Sequence, residues 1–215
     1  MEIKKEDKFY RVKWFWNIVK NGLFLLGVRN RLARIGIDIM PYYWVKEGAV
    51  MQNPPEIRGD NTGFSLVQLN EKDLIGIHDN ITGLEHKKPI ENLKKGDLCY
   101  GIKKDGSIAA YMFTQFGELH FRGATFVLAE DEAYLKDMYT FEASRGKNMA
   151  PYLRYQVYLL LREKGYKNFY SISEYFNKST LKFKAKLNAV NEKLMLSIKI
   201  GAKKPMNWTL RRYNL

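Results

Sequence analysis

The stretch DMYTFEASRGKNMAPYL, residues 137–153, holds the residue types best suited to chemistry, and that chemistry is the holding of a phosphate. Its first residues favour a strand, Pro151 opens a helical pattern, and the short loop SRGKNMA joins the two. The first turn of a helix leaves N–H groups unpaired and carries partial positive charge. Small residues at such a junction let the backbone approach a phosphate closely, and Gly146 and Ala150 are small. Arg145 and Lys147 add charge. A basic strand–helix loop is also a common solvated connection, so the loop alone leaves both readings open.

Metal chemistry is not expected. The three histidines, His78, His86 and His120, stand at no metal-ligand spacing from one another or from Cys99. A single cysteine excludes an intrachain disulfide and fits a reducing cytosol. Cys99 itself reads as a small buried hydrophobe in a strand.

The elements around the loop read as mixed α/β. FSLVQL from Phe64 is a strand, and Ile90–Asp97 a short helix ending at Gly96. LCYGIKKDGSIAAYMFTQF is a hairpin, because two apolar-rich runs flank the turn signal Asp105-Gly106. Glu132–Phe141 is a strand. From Pro151, Leu153, Val157, Leu160 and Leu161 line one helical face, and Gly165 stops the helix. NFYSIS, residues 168–173, is the next strand, which makes one β–α–β crossover. Ser179–Asn188 is a short basic helix, and LMLSIKI and NWTLRRY are closing strands joined by GAKKP.

Hydrophobic residues make up 46% of the 215, enough for a real core and unlike a disordered chain. The net charge of +13 favours anionic partners: nucleic acid, an anionic membrane face or a phosphate-bearing ligand. No apolar run has the length of a spanning helix, and the basic N-terminus does not read as a secretory signal. A cytoplasmic protein, soluble or peripheral to a membrane, is expected.

Three segments in order resemble the GNAT superfamily of N-acetyltransferases. Asp137-Met138-Tyr139-Thr140 is similar to the strand often written Asp-Leu-Tyr-Val. Arg145-Gly146-Lys147-Asn148-Met149-Ala150 is similar to the family's Arg/Gln-x-x-Gly-x-Gly/Ala loop, with Asn148 in place of the first Gly. Asn177 to Phe183 is similar to the start of its last helix. The resemblance covers residues 132–190.

It implies a mixed, mostly antiparallel central sheet flanked by helices, and acetyl-CoA as acyl donor to an amine acceptor. Main-chain groups of Met138, Tyr139 and Thr140 would pair with the pantetheine arm. The N–H groups of Arg145, Gly146, Lys147, Asn148, Met149 and Ala150 would hold the pyrophosphate, and Asn177 would touch the cofactor arm. Asn tolerates the left-handed backbone that the missing Gly implies. The family's Tyr, seven residues after the helix-start Asn, is Lys184 here. Attack of an amine on a thioester needs a base and a route for the thiolate to leave. Candidates for the base are Glu132, Asp137 and His120. Lys184 is the candidate acid or thiolate stabiliser, against membership of a basic helix face with Lys178, Lys182 and Lys186. The acceptor set includes amino sugars, nucleotide-linked sugars, polyamines and protein amines, with a nucleotide sugar slightly favoured on charge.

Two other functions compete: a CoA-binding module without turnover, and a basic nucleic-acid binder whose Trp14, Trp16, Tyr42 and Tyr43 stack on bases. No helix-turn-helix, zinc or RNA-recognition motif accompanies the charge, so nucleic acid is not expected as a partner. The chain divides into a basic, aromatic helical extension, 1–50, and the acyltransferase-like domain, 51–215. Val12, Trp16, Val19 and Leu23 carry helical spacing, with Gly22 and Gly27 splitting the run into two short helices. The extension can pack on the sheet, lie on an anionic membrane or cover the acceptor site. The packed arrangement is the expectation, with some aromatic side chains reaching the acceptor pocket.

Overall fold

The computed structural model describes residues 24–59, 62–78 and 88–213. Helix α1 (Phe24–Arg34) leads into strand β1 (Ile37–Glu47). Strand β2 (Phe64–Leu69) is followed by α2 (Glu71–His78), α3 (Lys88–Lys94), β3 (Leu98–Lys104) and β4 (Ser107–Gln115). Then come β5 (Glu118–Phe121), β6 (Ala124–Val127), β7 (Glu132–Thr140) and a 3-10 turn at Glu142–Ser144. The chain continues through α4 (Met149–Glu163), β8 (Asn168–Glu174), α5 (Lys178–Ala185), β9 (Val190–Ile200) and β10 (Met206–Arg212). One sheet has the order β10-β9-β1-β8-β7-β4-β3-β2, while β5 and β6 form a separate ribbon. Among the described residues, the pairing of β7 with β8 is parallel and the other strand pairs are antiparallel.

Local chemistry accounts for the joints. Asp105 and Gly106 both have positive φ, 49° and 81°, the backbone of a tight hairpin turn between β3 and β4. At the end of α4, Gly165 stands at φ 93°. Its N–H donates to Arg162 O and the N–H of Tyr166 to Leu161 O, the paired bonds of a Schellman stop.

The apolar face of α4 (Leu153, Val157 and Leu161) packs on Ile102, Met112, Leu135 and Phe169 of the sheet. Each such side chain stabilises the fold by roughly 1.5–3 kcal/mol on burial. The opposite face puts Cys99, Tyr111 and Phe113 beneath Leu74 of α2 and Leu93 of α3. Cys99 is a buried strand residue as expected, and burial pushes its thiol pKa up. The β5–β6 ribbon covers Trp44 and Tyr134.

The boundary expected at residue 50 needs correcting. The segment 37–47 is not part of a helical extension but an interior strand, pairing with β8 over Tyr42–Glu47 and with β9 over Ile37–Lys46. Alternation decides this: Met40, Tyr42 and Trp44 are buried on one side, and a bulge at Trp44/Val45 shifts the pattern before Glu47. Pro41 stands one residue before the pairing with β8 begins, where its missing N–H is tolerated. Of the rings expected to stack on bases, Tyr42 is buried and has no face free for it. The expected helix carrying Val12, Trp16, Val19 and Leu23, and with it Trp14, lies outside the described residues.

Candidate active site

The parallel pair β7–β8 holds together only at Glu132–Tyr134 with Asn168–Tyr170. Beyond it the two strands keep their outer partners: β7 stays on β4, and β8 on β1. Asp137 explains the divergence. It has φ 50°, and the β4–β7 register shifts beside it, so an extra residue bends β7 away from β8. A cavity of about 370 Å³ fills the resulting gap. Asp137, Met138 and Thr140 of β7, Ala150 of α4, and Asn177 and Lys184 at α5 all line it, so the fold gathers six of the expected site residues around one space.

The loop before α4 has the expected geometry, with two differences. Gly146 stands at φ 78°, and a Cβ placed there would meet no atom within 4 Å. Asn148 is left-handed, at φ 64° and ψ 23°, as its replacement of a Gly requires. Its side-chain amide donates to Glu56 O at 2.8 Å, and Lys147 O accepts from Arg58 N at 2.9 Å, which ties the loop to the 53–59 segment. The first difference is Arg145: its N–H donates to Glu142 O, so it is not a free cradle donor, and its Nε donates to Thr140 O. The second is Lys147, which lines a separate cleft and not the gap. Met149 and Ala150 open α4 with N–H groups that lack intrahelical partners, and Pro151 has none to give. Gly146 and the first turn of α4 thus bring open space and N–H groups without intrahelical partners together.

Tyr139, Glu132 and His120 face elsewhere. Tyr139 packs with Tyr111 and Phe141 and lies outside the cavity lining. Glu132 sits at the paired end of β7, outside the cavity lining, where its carboxylate accepts from Ala129 N at 3.0 Å. His120 is on the exposed β5–β6 ribbon, bonded to Thr125 and Glu118. Asp137 borders the cavity and accepts from Asn92 Nδ2 at 3.2 Å. The side-chain oxygen of Asn177 caps α5 by accepting from Thr180 N.

Lys184 does not belong to a solvated basic face. It is 4% exposed and donates to Ser171 Oγ, to Ser173 Oγ at 2.6 Å and to Ile172 O at 3.3 Å. Glu47 Oε1 lies 3.5 Å away. Burial is the largest influence on its pKa and lowers it; Glu47 opposes and Arg154 reinforces that shift, and the ammonium titrates at about 8. Glu47 is itself held by Arg154, through Nε at 2.9 Å and Nη2 at 2.8 Å, and by the hydroxyls of Tyr158 and Ser171. Burial alone would raise the carboxyl pKa. Arg154 and Lys184 more than offset that and hold it well below the usual carboxylate range.

Sequence reasoning missed Glu47, Arg154, Ser171 and Ser173. The signals were faint ones: Arg154 and Tyr158 lie next to the apolar positions Leu153 and Val157 of α4, and Ser171 and Ser173 alternate on one face of β8.

No protein-family model and no curated protein sequence matches the chain. Solved structures do. An acetyltransferase of the GNAT family from Novosphingobium aromaticivorans aligns at TM-score 0.52 and 18% identity over 78% of this chain and 68% of its own. A tandem GNAT protein from the clavulanic acid biosynthesis pathway aligns at TM-score 0.52 and 12% identity, over 85% of this chain and 58% of its own. A Drosophila protein aligns at TM-score 0.53 and 11% identity, over 82% of this chain and 57% of its own. The chain thus spans a little over half of the latter two, and it has the fold of the GNAT acetyltransferases. Among the described residues, no helix is long and apolar enough to cross a membrane, and no cluster of metal-ligating side chains occurs.

Proposed function

We propose that the chain transfers an acetyl group from acetyl-CoA to a primary amine. The observation that carries this reading is the unpaired gap between β7 and β8, with the first turn of α4 on one wall and the Lys184 ammonium on another. The main-chain edge of Met138–Thr140 that β8 leaves unpaired, where Thr140 O takes Arg145 Nε, suits the amide groups of a pantetheine arm, and Gly146, Met149 and Ala150 suit its pyrophosphate. The amine nitrogen attacks the thioester carbon, a C–N bond forms, and the C–S bond breaks. Lys184 gives its proton to the departing sulfur, and the amine's extra proton leaves through Asp137 or water, which returns the lysine to its charged form. The products are the acetamide and free CoA thiol.

An amino sugar or nucleotide-linked sugar is the acceptor we favour. A cleft of about 750 Å³ beside the 141–147 segment is lined by Lys72, Lys103, Lys104 and Lys147, which suits a phosphate-bearing molecule. Asp73 and Asp105 share the lining, and Lys103 pairs with Asp73 at 2.7 Å. A second reading, a CoA-binding module without turnover, draws on the three acceptors that already hold Lys184.

Thiol release from acetyl-CoA across a panel of amino sugars and nucleotide-linked amino sugars tests both. Turnover that falls in Lys184→Ala, with little change in the acetyl-CoA KM, supports the acid role. Binding of acetyl-CoA with no release in any mixture supports the module instead.

A further inference from the structure

We propose that Glu47 is a positioning residue: from strand β1, through Ser171 and Arg154, it fixes the Lys184 ammonium on the wall of the β7–β8 cavity. The inference rests on the reading of Lys184 as the proton donor, and it adds to that site a residue outside the 132–190 segment.

The hydrogen-bond polarity gives Glu47 this role. An ionised carboxylate only accepts, so the Ser171 hydroxyl must donate to it. That leaves the lone pairs of Ser171 to accept from Lys184. Glu47 thereby sets the direction of the chain that runs from Lys184 through Ser171. Its two oxygens are otherwise taken by Arg154 and Tyr158, so the carboxylate cannot swing toward the ammonium and the 3.5 Å separation is held.

Charge counting leads to the same place. The buried cluster contains two cations, Arg154 and Lys184, and one anion, Glu47. A guanidinium does not give up its proton in a protein, so if the anion is lost the lysine is the group that goes neutral. A neutral Lys184 has no proton to give a thiolate. Every element around it fits the assignment. Strand β8 offers two hydroxyls and a carbonyl, and α4 offers Arg154 and, on the far side of Glu47, Tyr158. Strand β7 brings Tyr134, kept neutral by burial, and Asp137, which is held by Asn92.

The test is a titration of the full chain labelled with 13C at lysine Cε, with the Lys184 signal assigned by its loss in Lys184→Gln. The wild-type signal should titrate near pH 8. In Glu47→Gln the midpoint should drop by at least about one unit, a tenfold loss of proton affinity. Ser171→Ala keeps all three charges, removes only the connecting hydroxyl, and serves if Glu47→Gln does not fold. It should lower the midpoint by a smaller amount, and the alkaline limb of kcat should move with it. A Lys184 midpoint unchanged in whichever of these variants folds overturns the proposal, whatever happens to stability. The titration needs no acceptor and no turnover. Failure of the acetyl-transfer reading would show as absent thiol release, and failure of this proposal as an unmoved lysine signal.

Discussion

Glu47 and Arg154, 107 residues apart in the chain, meet as a bidentate pair in the interior, with Nε and Nη2 donating to the two carboxylate oxygens at 2.9 and 2.8 Å. Arg154 Nη2 also reaches Leu135 O at 3.1 Å, so a single side chain ties β1 and β7 to α4. Taking away Arg154 leaves the Glu47 carboxylate buried without its bidentate partner, whereas removing both leaves only Lys184, which can shed its proton. Arg154→Met should therefore cost about 3–5 kcal/mol in urea unfolding. The Glu47→Leu/Arg154→Met double variant should cost less than the sum of its parts. Strict additivity would show that the pair is not coupled.

The same network predicts the shape of stability against pH. The folded-state pKa of Glu47 lies well below its ordinary 4.5, so its contribution is complete above that value and is lost as pH falls below it. Lys184 acts at the other end. The folded chain releases its proton near 8 and the unfolded chain near 10.5, so stability from this group rises with pH between those values. Urea midpoints measured across pH should show the acid-side loss reduced in Glu47→Gln and the alkaline rise flattened in Lys184→Met. Curves parallel to wild type in both windows would contradict the network.

Strand β1 makes a sharper claim about the N-terminal half. Its residues pair with strands on both sides, and Trp44 stacks on Phe126 at 4.4 Å and on Tyr170 at 5.1 Å. A chain beginning at Gly48 loses an interior strand and should fail to fold. A chain beginning at Ile35 keeps the strand and should retain cooperative unfolding. Circular dichroism melts of the two decide it, and a folded Gly48 chain would show that β1 is dispensable.

The sequence was most informative where function and backbone geometry coincide in a few adjacent residues. Gly146, Asn148 and Ala150 are small or tolerant of left-handed backbone, and their place between a strand and Pro151 marks a junction that allows close backbone approach. Lys184 could be placed by its distance from Asn177, but not its burial, because Lys178, Lys182 and Lys186 give the same helix a basic look. Only contact with Ser171 and Ser173, from another element, separates it from them. Glu47 carried no local signal, since its partners lie at positions 154, 158 and 171. Strand β1 was hidden by Pro41 and by the bulge at Trp44/Val45, which breaks the two-residue period. Glu132 looked eligible because it shares a strand with Asp137, but it sits in the segment paired with β8, five residues before Asp137. At roughly 3.3 Å per residue that is more than 15 Å, too far for both to serve one reacting group.

The central claim is that the gap between β7 and β8 and the first turn of α4 together bind acetyl-CoA. Calorimetric titration of acetyl-CoA into the wild-type chain and into Gly146→Pro tests it most directly. Proline removes the residue's N–H and cannot adopt the φ of 78° found there, while the open space around Gly146 leaves the core untouched. The account predicts saturable one-to-one binding to the wild type and its loss in a variant that still unfolds cooperatively. No binding to the wild type, or equal affinity in both, would contradict it.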